Sequence, residues 1–122
     1  MSRILRFAQV FHQKDGTCAD DLTATQAALA LAVLTDHLYV AKTTGVGNEA
    51  MTLANGKPGQ LLIFHLLVDG TGTPTITPVT ATGWNTVIFA DAGDMAMFYY
   101  IDDVAGWIIL STFGLTAPPQ VT

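Results

Sequence analysis

Charge is the scarcest ingredient of this sequence. Only 12% of its 122 residues are Asp, Glu, Lys or Arg, half the roughly 25% of an ordinary soluble domain. There is one cysteine, Cys18, so no intrachain disulfide framework can hold the fold. Apolar runs are short: Leu61 to Val68, which contains His65, falls far below the ~18 residues of a membrane-spanning helix. The first ten residues carry two arginines but no continuous apolar stretch, and Lys14 and Asp15 follow soon after. A cleaved signal peptide is therefore not expected. Heptad runs, low-complexity tracts and Asn-x-Ser/Thr sequons are also missing.

What is plentiful is apolar side chain, at 50% of residues. That excludes an intrinsically disordered chain, which combines low hydrophobicity with high charge. The length fits one domain over residues 1–122, because two would each be too small to bury a core.

The few charges are unevenly placed. All five basic residues (Arg3, Arg6, Lys14, Lys42, Lys57) lie in the first 57 positions, where five acids balance them. From Pro58 onward there are five aspartates (Asp69, Asp91, Asp94, Asp102, Asp103) and no Lys or Arg, so this half holds the whole net charge of −5. Nucleic-acid binding needs clustered cations to displace counterions, so no nucleic-acid partner is expected. No membrane partner is expected either. Residues 1–20 could act as an arm, with Arg3, Arg6 and Phe7 as its contact residues.

The second half reads as strands. Gln60 to Val68, Thr75 to Thr80, Thr86 to Ala90, Met95 to Ile101 and Trp107 to Phe113 are rich in β-branched, aromatic and aliphatic residues. Gly, Pro and Asp separate them, in Asp69-Gly-Thr-Gly-Thr-Pro, Thr82-Gly83, Asp91-Ala-Gly-Asp and Asp102-Asp-Val-Ala-Gly. In such turns Gly adopts positive φ and the Asp side chain bonds backbone two residues on. Links this short imply antiparallel neighbours, since parallel strands need a crossover. His37 to Thr43 and Ala50 to Leu53 continue the pattern. Leu22 to Leu34 is alanine-rich, which favours helix, yet Leu29, Leu31 and Val33 alternate with alanine at the period of a strand. It is read as strand, with a short helix as the alternative. Residues 115–122 contain two prolines and read as an extended tail. The expectation is an all-β protein, a compact antiparallel β-sandwich or barrel-like meander of short strands.

Two strands are apolar at consecutive positions: Leu61-Leu-Ile-Phe-His-Leu-Leu-Val and Trp107-Ile-Ile-Leu. Neighbouring side chains on a strand face opposite sides, so both faces of this sheet need cover. A small domain covers both most economically by meeting copies of itself. Leu62, Phe64, Leu66, Trp107 and Ile109 are the expected oligomer-interface residues.

Catalytic signals are weak. His12, His37 and His65 are far apart and show no metal-ligand spacing, and Cys18 has no partner base within view. The aspartate pairs at 91/94 and 102/103 lack the ligand array of a calcium loop and suit turns. No cofactor, metal or enzymatic activity is expected. Trp84, beside Gly83, is the expected exposed aromatic, suited to stacking on a sugar or another subunit.

Four stretches then matter together: Thr52-Leu-Ala-Asn-Gly-Lys-Pro-Gly-Gln-Leu, Val68-Asp-Gly-Thr-Gly-Thr-Pro-Thr-Ile-Thr-Pro, Gly83-Trp-Asn-Thr-Val-Ile-Phe-Ala-Asp-Ala-Gly-Asp and Gly106-Trp-Ile-Ile. Their order over about residues 50 to 114 resembles the small β domains of tailed-bacteriophage virion structural proteins. That resemblance implies a capsid decoration (cement) protein or a head-fibre domain, typically a homotrimer. The implied partners are further copies of the chain and a major capsid protein, and the implied location is the virion surface after synthesis in the host cytoplasm. A receptor- or glycan-binding module of a tail or head fibre is the alternative. Residues 1–49 match no part of the pattern.

Overall fold

A computed structural model describes residues 30–33 and 36–120. They form eight strands and no helix: β1 (Ala30–Leu31), β2 (His37–Thr43), β3 (Glu49–Leu53), β4 (Leu61–Val68), β5 (Pro74–Pro78), β6 (Val87–Ile88), β7 (Met95–Tyr100) and β8 (Trp107–Phe113). The protein is all-β, as its composition implies. Of the alanine-rich segment, Ala30–Leu31 is strand; residues 22–29 lie outside the described residues.

The strands form two four-stranded sheets, ordered β1-β3-β5-β6 and β2-β4-β7-β8. Neither is purely antiparallel, which corrects the expected meander. β1 runs parallel to β3, β2 to β4 and β3 to β5, whereas β4–β7, β5–β6 and β7–β8 are antiparallel. The reason lies in where the short links go. From β1 to β5 each link carries the chain to the other sheet, so the next strand but one returns beside its predecessor in the same direction. A strand in the opposite sheet thus serves as the crossover that a parallel pair needs.

Two expected hairpins change with it. Asp69 to Thr73 and Asp91 to Asp94 pass between sheets, whereas Asp102 to Gly106 joins sheet neighbours β7 and β8, and the link containing Thr82 and Gly83 joins sheet neighbours β5 and β6. The aspartates still perform the local chemistry expected of them. Asp69 Oδ1 accepts the Thr71 N–H at 2.8 Å, and Asp102 Oδ1 accepts those of Val104 and Ala105 at 2.9 and 2.7 Å. Asp94, buried, accepts the Ala90 and Asp91 N–H groups on Oδ2 at 2.8 and 3.0 Å. The 69–73 link also lies against the 44–48 link, backbone on backbone. A Cβ on Gly72 would sit 2.3 Å from the Gly47 carbonyl oxygen, so only glycine fits. The tail docks through Gln120, whose N–H donates to the Thr86 carbonyl and whose carbonyl accepts from Asn85.

The inner faces of both sheets share one core. Leu62, Phe64 and Leu66 of β4, Ala96, Phe98 and Tyr100 of β7, Met51 and Leu53 of β3, Ile76 of β5 and Val87 of β6 are all buried in it. Phe64 meets Phe89 with ring centroids 4.7 Å apart, and Trp84 meets Phe98 at 5.1 Å. Such aromatic pairs add about 0.5–1.5 kcal/mol beyond area burial. The indole N–H groups also find carbonyls: Trp84 donates to Trp107 at 3.0 Å and Trp107 to Ala54 at 2.9 Å.

Among the described residues, an ionic contact joins the two sheets. Lys42 on β2 and Glu49 on β3 both point inward, are essentially fully buried, and meet at 2.6 Å. Glu49 Oε2 also accepts the Gly45 N–H at 2.8 Å. Because β2 is an edge strand, an inward lysine there is one of the devices that discourage uncontrolled edge pairing.

Candidate interaction surface

The β2-β4-β7-β8 sheet presents its other face away from this core. The paired registers fix what that face carries. His37, Leu61, Tyr99 and Ile108 form one cross-strand row; Tyr39, Ile63, Met97 and Ser111 form a second; Ala41, His65, Met95 and Phe113 form a third. None of these twelve positions is Asp, Glu, Lys or Arg. Apart from the small Ala41 they are half-buried or exposed, and Phe113 is 68% exposed. A bulge between Met97 and Phe98 shifts the β7–β8 register, and Leu110 beside it is also exposed.

Two polar side chains on this face pair with each other. The Tyr39 hydroxyl lies 2.7 Å from His65 Nδ1, and the two rings stand 6.0 Å apart. His37 sits on the same face at the opposite end of β2. These two histidines and the aspartates do not converge: among the described residues, no group of three or more His, Cys, Asp or Glu side chains is placed to hold a metal ion. His12 and Cys18 lie outside the described residues, as do Arg3, Arg6 and Phe7.

Most of the interface residues expected from the sequence prove to be core. Leu62, Phe64, Leu66 and Trp107 have no exposed surface, and Ile109 packs against the core from its margin. β4 is apolar on both sides, and it is the alternate set Leu62, Phe64 and Leu66 that faces the core. Side chains repeat every second residue, so a choice off by one moves the whole set through the sheet. The outward set is Leu61, Ile63 and His65 on β4 and Ile108 on β8. Methionines 95 and 97, together with Tyr99, complete it from β7, and nothing in Met95-Ala-Met-Phe-Tyr-Tyr marks which alternate residues face out.

Trp84 also departs from expectation. It is 3% exposed, because its indole is held between the Phe98 ring and the Trp107 carbonyl. A cleft of about 330 Å³ lies there, lined by Thr77 to Ala81 and by Trp84, Asn85 and Thr86, but the indole is too buried to serve as an exposed stacking platform for a sugar.

At the far end of β7, Tyr100 is buried and its hydroxyl donates to Asp103. Burial pushes its phenol up to about 12, and the nearby carboxylates of Asp103 and Asp102 add to the shift. The effect is structural: the hydrogen bond ties β7 to the turn that follows it. No protein-family model matches the chain, and no curated protein matches it.

Proposed function

We propose that the protein is a non-enzymatic structural subunit that works by associating with copies of itself, as a homotrimer, through the outer face of the β2-β4-β7-β8 sheet. Its setting, by the resemblance of residues 50–114, is a tailed-bacteriophage virion, with the subunit acting as a decoration or cement protein on the capsid. Support comes from one observation above the rest: three successive cross-strand rows of that outer face carry no charge and are built largely of Leu, Ile, Met, Tyr and Phe. An antiparallel or mixed sheet that meets water on one side normally alternates apolar with polar, and an apolar surface of this extent marks an interaction site. The mechanism is mechanical. Many weak contacts between subunits and shell, each modest, sum to a large effective affinity and hold the shell against internal pressure.

Light scattering on the full chain at micromolar concentration tests the first part. The expected mass is three chains, falling to one when Met97 is replaced by lysine while the circular dichroism spectrum stays unchanged. A single-chain mass for the unsubstituted protein overturns the proposal. Its absence from purified particles, judged by mass spectrometry, overturns the capsid setting. The burial of Trp84 takes away the exposed indole that a glycan-binding module would use.

A further inference from the structure

We infer that His65 makes the proposed association sensitive to pH, holding copies of the chain together while its imidazole is neutral and releasing them when the ring takes a proton. The inference rests on self-association through the outer face of the β2-β4-β7-β8 sheet and adds the condition under which that contact opens.

His65 stands in the third cross-strand row of this face. It is half-buried between Ala41 of β2 and Met95 of β7, with Phe113 of β8 beyond Met95. Phe113, at 68% exposed, is the ring on this face with most to gain from cover. Strands two places apart in a sheet lie only about 10 Å apart, so a neighbouring copy that covers the Phe113 ring also reaches the imidazole. The Tyr39 hydroxyl is 2.7 Å from Nδ1. With that hydroxyl donating, Nδ1 is an acceptor, the ring proton sits on Nε2, and the imidazole is neutral. That form suits an apolar contact.

The charged form does not. Among the described residues, no acid on this face stands ready to balance an imidazolium. Around His65, β2 presents Tyr39 and Ala41, β7 presents Met95 and Met97, and β8 presents Ser111 and Phe113. The charges nearest in sequence or pairing are engaged elsewhere. Lys42 and Glu49 meet each other in the core, Asp94 is buried on the Ala90 and Asp91 N–H groups, and Asp69 accepts from Thr71. His37 and Tyr99, the other titratable side chains of the face, lie in its first row, toward the opposite end of β4.

The sign follows from these surroundings. Imidazoles change charge between pH 5 and 8. In a separate subunit the half-exposed ring takes its proton in contact with water. Beneath a neighbouring copy the same proton places a charge in an uncharged surface with no partner, which desolvation opposes. Association therefore disfavours the protonated form, and by linkage acid disfavours association. The contact is complete above the imidazole range and is lost as pH falls through it. A trimer meets this penalty at three rings.

Light scattering on the full chain between pH 8 and pH 5 tests this, with circular dichroism to confirm that the fold persists. Association is expected to weaken at least about tenfold across that range. His65→Lys, charged throughout, is expected to be that weak already at pH 8, whereas His65→Phe is expected to stay associated at both ends. An unsubstituted protein that associates equally at pH 8 and pH 5 overturns the inference. So does a fall that persists in His65→Phe, which would belong to another group, or a His65→Lys chain that associates at pH 8 as the parent does. A single-chain mass for the unsubstituted protein at pH 8 instead removes the self-association on which the switch rests.

Discussion

The two sheets share one core but differ in what they show on their other sides. Outside the β1-β3-β5-β6 sheet stand Ala50 and Thr52 on β3, Thr75 and Thr77 on β5 and Ile88 on β6. β3 alternates buried and exposed without a break, as expected of a strand with water on one side. Outside the other sheet the corresponding places are taken by Leu61, Ile63, Met95, Met97, Tyr99 and Ile108. Both sheets bury the same kind of residue inward, so the need for a core does not explain the difference. Threonine satisfies β-propensity and solvation together; leucine and methionine satisfy only the first. The contrast separates what this chain needs to fold from what it needs to meet.

The strongest way to break the contrast is to cut the same strand on its two sides. Phe64→Ala, facing inward, removes a fully buried ring and is expected to cost about 3–5 kcal/mol. Ile63→Ala, one residue away on the outer side, is expected to change the stability of the isolated subunit by no more than about 1 kcal/mol while weakening association. Urea denaturation of each variant, at a concentration where the subunit is single, reads the first effect. Equal losses from both would mean that the outer face is packed as tightly as the core, and the proposed division between folding and meeting would fail.

Next in size is the link between the sheets. Lys42→Met leaves Glu49 buried without its cation, and breaking such a pair costs about 3–5 kcal/mol, here somewhat below the ring deletion because Gly45 still donates to Glu49. Lys42→Met together with Glu49→Met is expected to return close to the original stability, since an apolar pair of similar volume often replaces a buried ion pair at no loss. Thermal unfolding of the single and double variants closes the cycle. A double variant no more stable than the single would show that the pair does more than neutralise itself, for instance by setting the register of edge strand β2.

Much of this was legible from residues alone. Seven of the eight strands lie where β-branched, aromatic and aliphatic runs put them, β1 falls within the alanine-rich segment read as strand, and the Asp turns bond backbone as their spacing implies. Pairing was not legible. Link length reports that the next strand is near, but not whether it is beside its predecessor or across the core from it. Nor was the facing of β4, since Leu61 to Leu67 is apolar on both sides except at His65 and only the packed partner sheet decides between them. Trp84 departs from expectation for a related reason: Gly83 before it suggests a loop, and loops lie on surfaces, yet this one folds its indole back over Phe98. The Lys42–Glu49 pair carries no local signal, because the two charges stand seven positions apart across a turn and meet only when the sheets close.

The smallest predicted effect concerns pH. Tyr100 lies on the inner side of β7, next to the outward Tyr99, and its phenol is raised from 10.0 to about 12, chiefly because ionisation would place charge in the core and then because it would face Asp103 and Asp102. A raised folded-state value means that the neutral form is the stabilised one. Its contribution is therefore complete below pH 10 and is lost as pH rises from about 10 to 12. Tyr100→Phe removes the hydrogen bond to Asp103, with an expected loss of about 1 kcal/mol at neutral pH. The same change should flatten the fall in stability above pH 10, so the parent's advantage shrinks above pH 10 and is gone by about pH 11. Denaturant midpoints measured at pH 7, 10 and 11.5 check this. A constant gap between the two proteins across that range would mean that the phenol ionises in the folded chain as readily as in the unfolded one, and that the inner side of this sheet is less closed to water than the burial of Tyr100 implies.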